Sequence, residues 1–186
     1  VGYNIRGGTF YIFYNNIFYY YYKMSKVPVR YLPQSLSRKD RKAQARMLKK
    51  SRSLYKKRQF FTRKAVPSFH SKRSNHITNA IKLYGVENIS PNKELAKATG
   101  CSIDALQKIV SKGEGAYFSS GSRPNQTAQS WGLARLASAV TGGKASAVDF
   151  HILEESCDPK KPAFKLAKRS LTRYNYGHAK TRKTIL

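Results

Sequence analysis

The chain has 186 residues, with 36 Lys and Arg against 9 Asp and Glu and a formal net charge of +27. That length suits one domain of roughly 100 residues with extensions. The composition argues against three classes. The chain has no run of about 18 or more apolar residues, so no membrane-spanning helix is expected. The four histidines, His70, His76, His151 and His178, lack metal-ligand spacing, so no metal or other cofactor is expected. The two cysteines, Cys101 and Cys157, are too few for a disulfide framework and read as buried small apolar residues of a protein made in a reducing compartment.

Charge is segregated along the chain. Residues 1–86 hold 20 Lys and Arg and one acid, Asp40; residues 87–158 hold 7 basic residues and 8 acids; residues 159–186 hold 9 basic residues and no acid. A near-neutral centre between two basic arms fits a protein that binds a polyanionic surface: nucleic acid, an acidic protein wall or anionic lipid. The expected organisation is an aromatic, extended N-terminal arm over 1–34, a basic helix and connector over 35–75, a compact and mostly helical central domain over 76–158, and a basic C-terminal tail over 159–186. Self-repulsion predicts that the arms order on a partner.

Residues 1–23 are unusual, with ten Phe or Tyr. Tyr, Phe, Ile and Asn all have A/T-rich codons, so this stretch reads either as translated A/T-rich sequence ahead of a start at Met24 or as an aromatic arm that inserts between neighbouring subunits. Residues 28–34, PVRYLPQ, read as extended. A helix is predicted over 37–57, with Ser37 and Asp40 at capping-box spacing. Its apolar face is expected at Ala43, Met47, Leu54 and Tyr55. The other face carries a cationic rail.

Residues 56–75 interleave basic residues with Phe60, Phe61 and Phe69. Such aromatics either stack on single-stranded nucleic acid or, the more common use, anchor a connector on a core. A helix over 76–84 ends at Gly85. Ser90-Pro91 reads as an N-cap for a short helix over 91–99, and Ser102 as the cap of another over 102–111. Residues 113–126, rich in Gly and Ser, are expected to be a loop. The most apolar helix spans 127–141, with Leu133, Leu136, Ala137 and Val140 as core, Trp131 at its edge, and a stop at Gly142-Gly143. Residues 145–153 fit either a strand or a helix.

Residues 92–111 have helix-turn-helix spacing: Leu95 and Ala96, Gly100 in the turn, then Leu106 and Ile109. As a DNA reader this segment would offer Ser102, Gln107 and Lys108 to base edges. Two packed helices of a small α domain account for the same pattern, because the block is near neutral and Asp104 repels phosphate. Arg123 and Asn125 are candidates to brace their loop or to meet a partner. Arg135 is expected to pair with Asp149, Glu154 or a partner. No Ser/His/Asp or Cys/His set is readable from spacing, so catalysis is not expected.

The strings GEGAYFSSGSRPNQTAQSWGLARLASAVTGGK (113–144), VDFHIL (148–153) and YLPQSLSRKDRKAQ (31–44) resemble a domain of unknown function. It occurs in small basic proteins of large nucleocytoplasmic DNA viruses of algae and amoebae, with looser relatives in tailed phages. The resemblance brings no catalytic residues. It implies a virion protein, made in the host cell cytoplasm.

The expectation is therefore a mainly α protein with basic ends, and a role in the virion as a minor capsid or cement protein. Arg38, Lys42, Arg46, Lys49, Lys50, Lys56, Lys57, Arg58, Lys168 and Arg169 would meet acidic surfaces of major and minor capsid proteins. The alternative is DNA binding or genome packaging through the same cations. Peripheral contact with an anionic inner membrane is a further option.

Overall fold

The computed structural model describes residues 26–186. The two readings of residues 1–23 and Met24 therefore lie outside the described residues. The chain is mainly α, as expected, with eight α-helices and one two-stranded sheet among the described residues.

Two helices make the centre: α4 (Ile103–Ser119) and α5 (Ala128–Val140). They pack closely because glycines meet at the crossing. A Cβ on Gly113 would lie 2.6 Å from the Gly132 Cα, and one on Gly132 would lie 2.8 Å from the Val110 carbonyl oxygen. Around this pair stand α2 (Asn75–Tyr84), α3 (Lys93–Thr99), α6 (Lys144–Val148), α7 (Phe150–Ser156) and α8 (Pro162–Arg173). Their shared core includes Leu95, Leu106, Ile109, Leu136, Ala137, Val140 and Leu153. Leu133 is partly buried against it.

A second, smaller cluster holds the basic N-terminal part in place. Val27, Tyr31, Leu32 and Leu48 are buried together, with Trp131 and Leu186 packed against them. Leu48 belongs to α1 (Arg38–Lys56), and Trp131 meets Tyr31 edge-on at 5.7 Å. Strand β1 (Lys26–Pro28) pairs antiparallel with β2 (Lys183–Ile185), Val27 opposite Thr184.

Local signals set most helix ends. Ser37, Asn92 and Ser102 each accept an N–H of the first turn with the side-chain oxygen. Thr127 and Ser130 form a reciprocal capping box. Gly85 and Gly100 end their helices in the left-handed region, at φ 64° and 74°.

Several expectations need correction. Asn92, not Ser90-Pro91, caps α3. Helix α4 does not stop at residue 111 but continues through Gly113 and Gly115 to Ser119, so the first half of the expected loop is helical. Glycine disfavours an isolated helix by about 1 kcal/mol, but here its missing side chain admits α5. Residues 145–153 are helical, as α6 and α7. Val29–Tyr31 form a 3-10 turn rather than extended chain. The C-terminal residues order on the protein itself: Ala163 and Ala167 of α8 are fully buried, and Lys144 Nζ donates to the Ala179 carbonyl and to Thr181 Oγ1.

Cys101 and Cys157 are not free. They form a disulfide across 56 residues, where the start of α4 meets the end of α7. Backbone bonds flank it: the Ser102 N–H donates to the Ser156 carbonyl (3.0 Å) and the Asp158 N–H to the Gly100 carbonyl (2.8 Å). Nothing in the local sequence of either cysteine points to the other.

Candidate polyanion-binding surface

Helix α1 carries the densest charge. Its buried residues are Asp40, Gln44, Leu48 and Ser51, spaced 4, 4 and 3 apart on one stripe. This differs from the face expected at Ala43, Met47, Leu54 and Tyr55, which are half-buried. Three of the four buried residues are polar, so apolar periodicity could not find the stripe. Each has a hydrogen-bond partner to satisfy it. Gln44 Nε2 donates to the Tyr31 carbonyl (3.2 Å), and Ser51 Oγ donates to the Phe118 carbonyl (3.0 Å). The Asp40 carboxylate accepts the Ser68 N–H at 2.8 Å. Hydrogen bonds from Ser68, side chain first and backbone second, hold Asp40 below the ordinary carboxylate range.

Opposite that stripe, Arg38, Lys42, Arg46, Lys49 and Lys56 are all exposed. At 1.5 Å per residue they mark out a line of about 27 Å along the helix. Lys50, Lys57 and Arg58 are exposed beside it. Among the described residues the ion pairs are those of Asp149, with Arg135 and Lys112, so the α1 cations have no carboxylate partner. Lys168 and Arg169 are exposed on α8 in the same unpaired state.

Three arginines of the basic block behave differently. Arg41 donates to the Leu32 (2.8 Å) and Pro33 (3.2 Å) carbonyls. Arg52 donates to the Ser120 carbonyl at 2.8 Å. Arg63, though it stands in a basic run, is only 8% exposed. Its guanidinium lies 3.7 Å from the centre of the Tyr117 ring. It donates to the Tyr117 carbonyl (3.0 Å), Ser51 Oγ (3.1 Å) and Ser122 Oγ (2.7 Å). A planar, weakly hydrated guanidinium can be buried this way where an ammonium could not. Burial lowers the pKa of both Arg63 and Arg52.

These contacts share a purpose. The last carbonyls of α4 have no partner within the helix. Arg63, Ser51 and Arg52 supply donors to Tyr117, Phe118 and Ser120 in turn. Two of the donors are cationic, which suits the negative end of the helix dipole.

The connector after α1 is held by Asn125. At φ 55°, a left-handed position that asparagine tolerates, its side chain accepts the Val66 N–H (2.8 Å) and donates to the Val66 (3.1 Å) and Phe69 (2.7 Å) carbonyls. Arg123 is exposed, and its guanidinium makes no hydrogen bond among the described residues, so it does not brace the loop. Arg135 makes a two-pronged bond to fully buried Asp149, at 2.7 and 2.8 Å. Lys112 Nζ adds a contact at 3.0 Å.

The helix-turn-helix spacing corresponds to α3, the turn at Gly100, and α4. Ser102 is engaged as the cap of α4. Gln107 and Lys108 are exposed, but they line an open groove between α4 and α7 together with Asp104 and Glu155. Lys112 lines the groove as well, so the groove's two carboxylates balance its two lysines and it offers phosphate no excess of positive charge.

A family of unknown function, DUF5824, matches residues 28–161. The chain belongs to this family. The DUF5824 span takes in α1, the connector and the helical centre through α7, and it ends just before α8. No curated protein and no solved structure matches the chain.

Sequence reasoning missed Arg63, Gln44 and the cysteine pair. Arg63 left one faint signal: it follows Phe60 and Phe61 in the connector, where aromatics interleave with the basic residues. Gln44 left none.

Proposed function

We propose that this DUF5824 protein is a structural component of a virus particle, a minor capsid or cement protein. In this reading the exposed cationic face of α1 docks on acidic surfaces of neighbouring capsid subunits. The observation that carries the proposal is the unpaired line Arg38, Lys42, Arg46, Lys49 and Lys56 on a helix whose only acid is turned inward. Folding does not require those charges, and their mutual repulsion opposes compactness. A fixed helix presents them at constant spacing, so a complementary acidic wall engages several at once. Each exposed pair contributes about 0–1 kcal/mol, and the strength comes from number and geometry. Lys168 and Arg169 on α8 offer a second contact of the same kind. The viral setting is supported only by resemblance to small basic proteins of large DNA viruses; in that reading the protein would be made in the host cytoplasm.

Deleting residues 24–64 is not a clean test, because Val27, Tyr31, Leu48 and Arg63 are built into the fold. Charge reversal in the full chain is cleaner. Lys42→Glu with Lys49→Glu alters two exposed side chains opposite the buried stripe. The folded variant should fail to enter particles, while genome content per assembled particle stays normal. Normal incorporation with reduced genome content would reject capsid docking in favour of DNA packaging by the same cations.

A further inference from the structure

The connector beyond α1 presents a ring that neither the core nor the cationic face of α1 uses. The last turn of α1 closes with the Arg58 N–H on the Tyr55 carbonyl (2.9 Å) and the Gln59 N–H on the Leu54 carbonyl (3.0 Å). This is the Schellman ending, which needs one left-handed residue. That residue is Arg58, at φ 59°, where glycine would carry no steric penalty. The reversal delivers Phe60 between the edges of two rings, Tyr55 at 6.1 Å and Phe118 at 5.0 Å between centroids, inclined at 62° and 61°. Despite both neighbours Phe60 is 69% exposed, so it does not anchor the connector in a core. Its orientation is set by its neighbours while much of its ring is open to solvent.

The surroundings are uniformly cationic. Lys56, Lys57, Arg58 and Lys64 are exposed around the ring in sequence, and Lys50 Nζ stands 4.7 Å over the adjacent Phe61 ring. No acid occurs between Asp40 and Glu87. Asp40 is engaged by Ser68. Glu114 of α4 directs its side chain toward α5, its Cγ 3.1 Å from where a Gly132 Cβ would be.

We infer that this corner binds single-stranded nucleic acid: one base stacks on the open face of Phe60, and flanking phosphates lie against Lys56, Lys57 and Arg58. The two features discriminate jointly. A duplex keeps its bases stacked inside and has no use for the ring. An acidic protein surface would use the cations but not the ring, and an apolar protein surface would bury the ring but desolvate the unpaired cations at a loss. A single strand satisfies both, because every base offers a π-face and every nucleotide a phosphate. The site shares Lys56 with the C-terminal end of the α1 docking face, but its ring lies outside that face and the inference does not depend on the capsid reading.

The test uses the full chain, a fluorescein-labelled 12-mer of deoxythymidine and a duplex of equal length, read by fluorescence anisotropy at about 150 mM salt. The single strand should bind more tightly than the duplex. Its log K should fall by about 0.7 per phosphate contact against log salt, or about 2 for three contacts. Phe60→Ala should weaken single-strand binding roughly 5- to 100-fold and leave duplex binding unchanged. Phe60→Trp should bind at least as well as the parent, and Phe60→Leu, which keeps the apolar volume, should bind as weakly as Phe60→Ala. Equal affinity of parent and Phe60→Ala for the single strand overturns the inference. So does a duplex bound as tightly as the single strand, which would mean charge attraction alone. Parent-like binding by Phe60→Leu would likewise remove the stacking role. Loss of particle incorporation by Phe60→Ala with its oligonucleotide binding intact would mark the ring as a protein contact instead.

Discussion

Gly113 and Gly115 lie two residues apart in α4, and alanine should act on them with opposite sign. In an open helix, Gly→Ala stabilises by about 0.5–1 kcal/mol, because it restricts the unfolded chain. Gly115 meets that condition: its φ is not positive, and a Cβ there would come no nearer than 3.6 Å, to Tyr55 Oη. Gly115→Ala should therefore gain about 0.5–1 kcal/mol. At Gly113 the same Cβ falls 2.6 Å from the Gly132 Cα, with Arg135 Cβ at 3.2 Å. Carbon atoms rest at about 3.5–4.0 Å, so α4 and α5 must part by about 1 Å. Overpacking of this kind costs about 1–3 kcal/mol, and at the middle of that range the helix gain of about 0.5–1 kcal/mol offsets half of it or less. Gly113→Ala should lose about 1–2 kcal/mol, and the two variants should differ by about 2 kcal/mol. Urea unfolding followed by circular dichroism and by Trp131 fluorescence measures both. A Gly113→Ala protein as stable as Gly115→Ala would refute the close α4–α5 crossing.

Arg63→Met should cost about 2–4 kcal/mol, since it strips the Tyr117 carbonyl of a donor and removes a cation from the end of α4; a loss under about 0.5 kcal/mol in the same titration would show that the guanidinium is dispensable. Replacing both Cys101 and Cys157 with serine should cost about 4 kcal/mol in the chain-entropy account, given their sequence separation of 56. Thiol titration of the unreduced, denatured chain should find no free thiol, and two would disprove the bond. Asp40 has its folded pKa depressed below the ordinary 3.8, chiefly by Ser68. Its stabilising contribution is thus present above the unfolded value and disappears as pH falls through the folded value. The stability gap between the parent and Asp40→Asn should close on acidification below pH 3.8, and a gap that widened there would reverse the assignment.

The long cation series had a face and a spacing in the sequence, because charges on a capped, regular helix must alternate with whatever side the helix buries. What could not be read was which side that is. The stripe Asp40, Gln44, Leu48, Ser51 is mostly polar, and its polar members find hydrogen-bond partners in Tyr31, Ser68 and Phe118, remote in the chain. The same limit applies to Arg63. As a residue in a basic run it looks like one more surface charge, and its burial depends on Tyr117 and Ser122, 54 and 59 residues away.

The positions of α1, α2, α3 and α5, the caps at Ser37 and Ser102, the stops at Gly85 and Gly142, and the division into a neutral centre and basic flanks followed from the sequence by itself. Each is written within a few residues: a hydroxyl, a glycine, a 3.6-residue period or a local excess of charge. Tertiary structure alone decided the rest. Strands β1 and β2 are three residues each, too short to show alternation, and they exist because the two ends of the described chain meet. The continuation of α4 past Gly113 depends on α5 filling the space where a side chain would be. Cys101 and Cys157 become partners only when the start of α4 is laid against the end of α7. In all three cases the favourable energy comes from groups far apart in the chain, which a reading confined to neighbours does not contain.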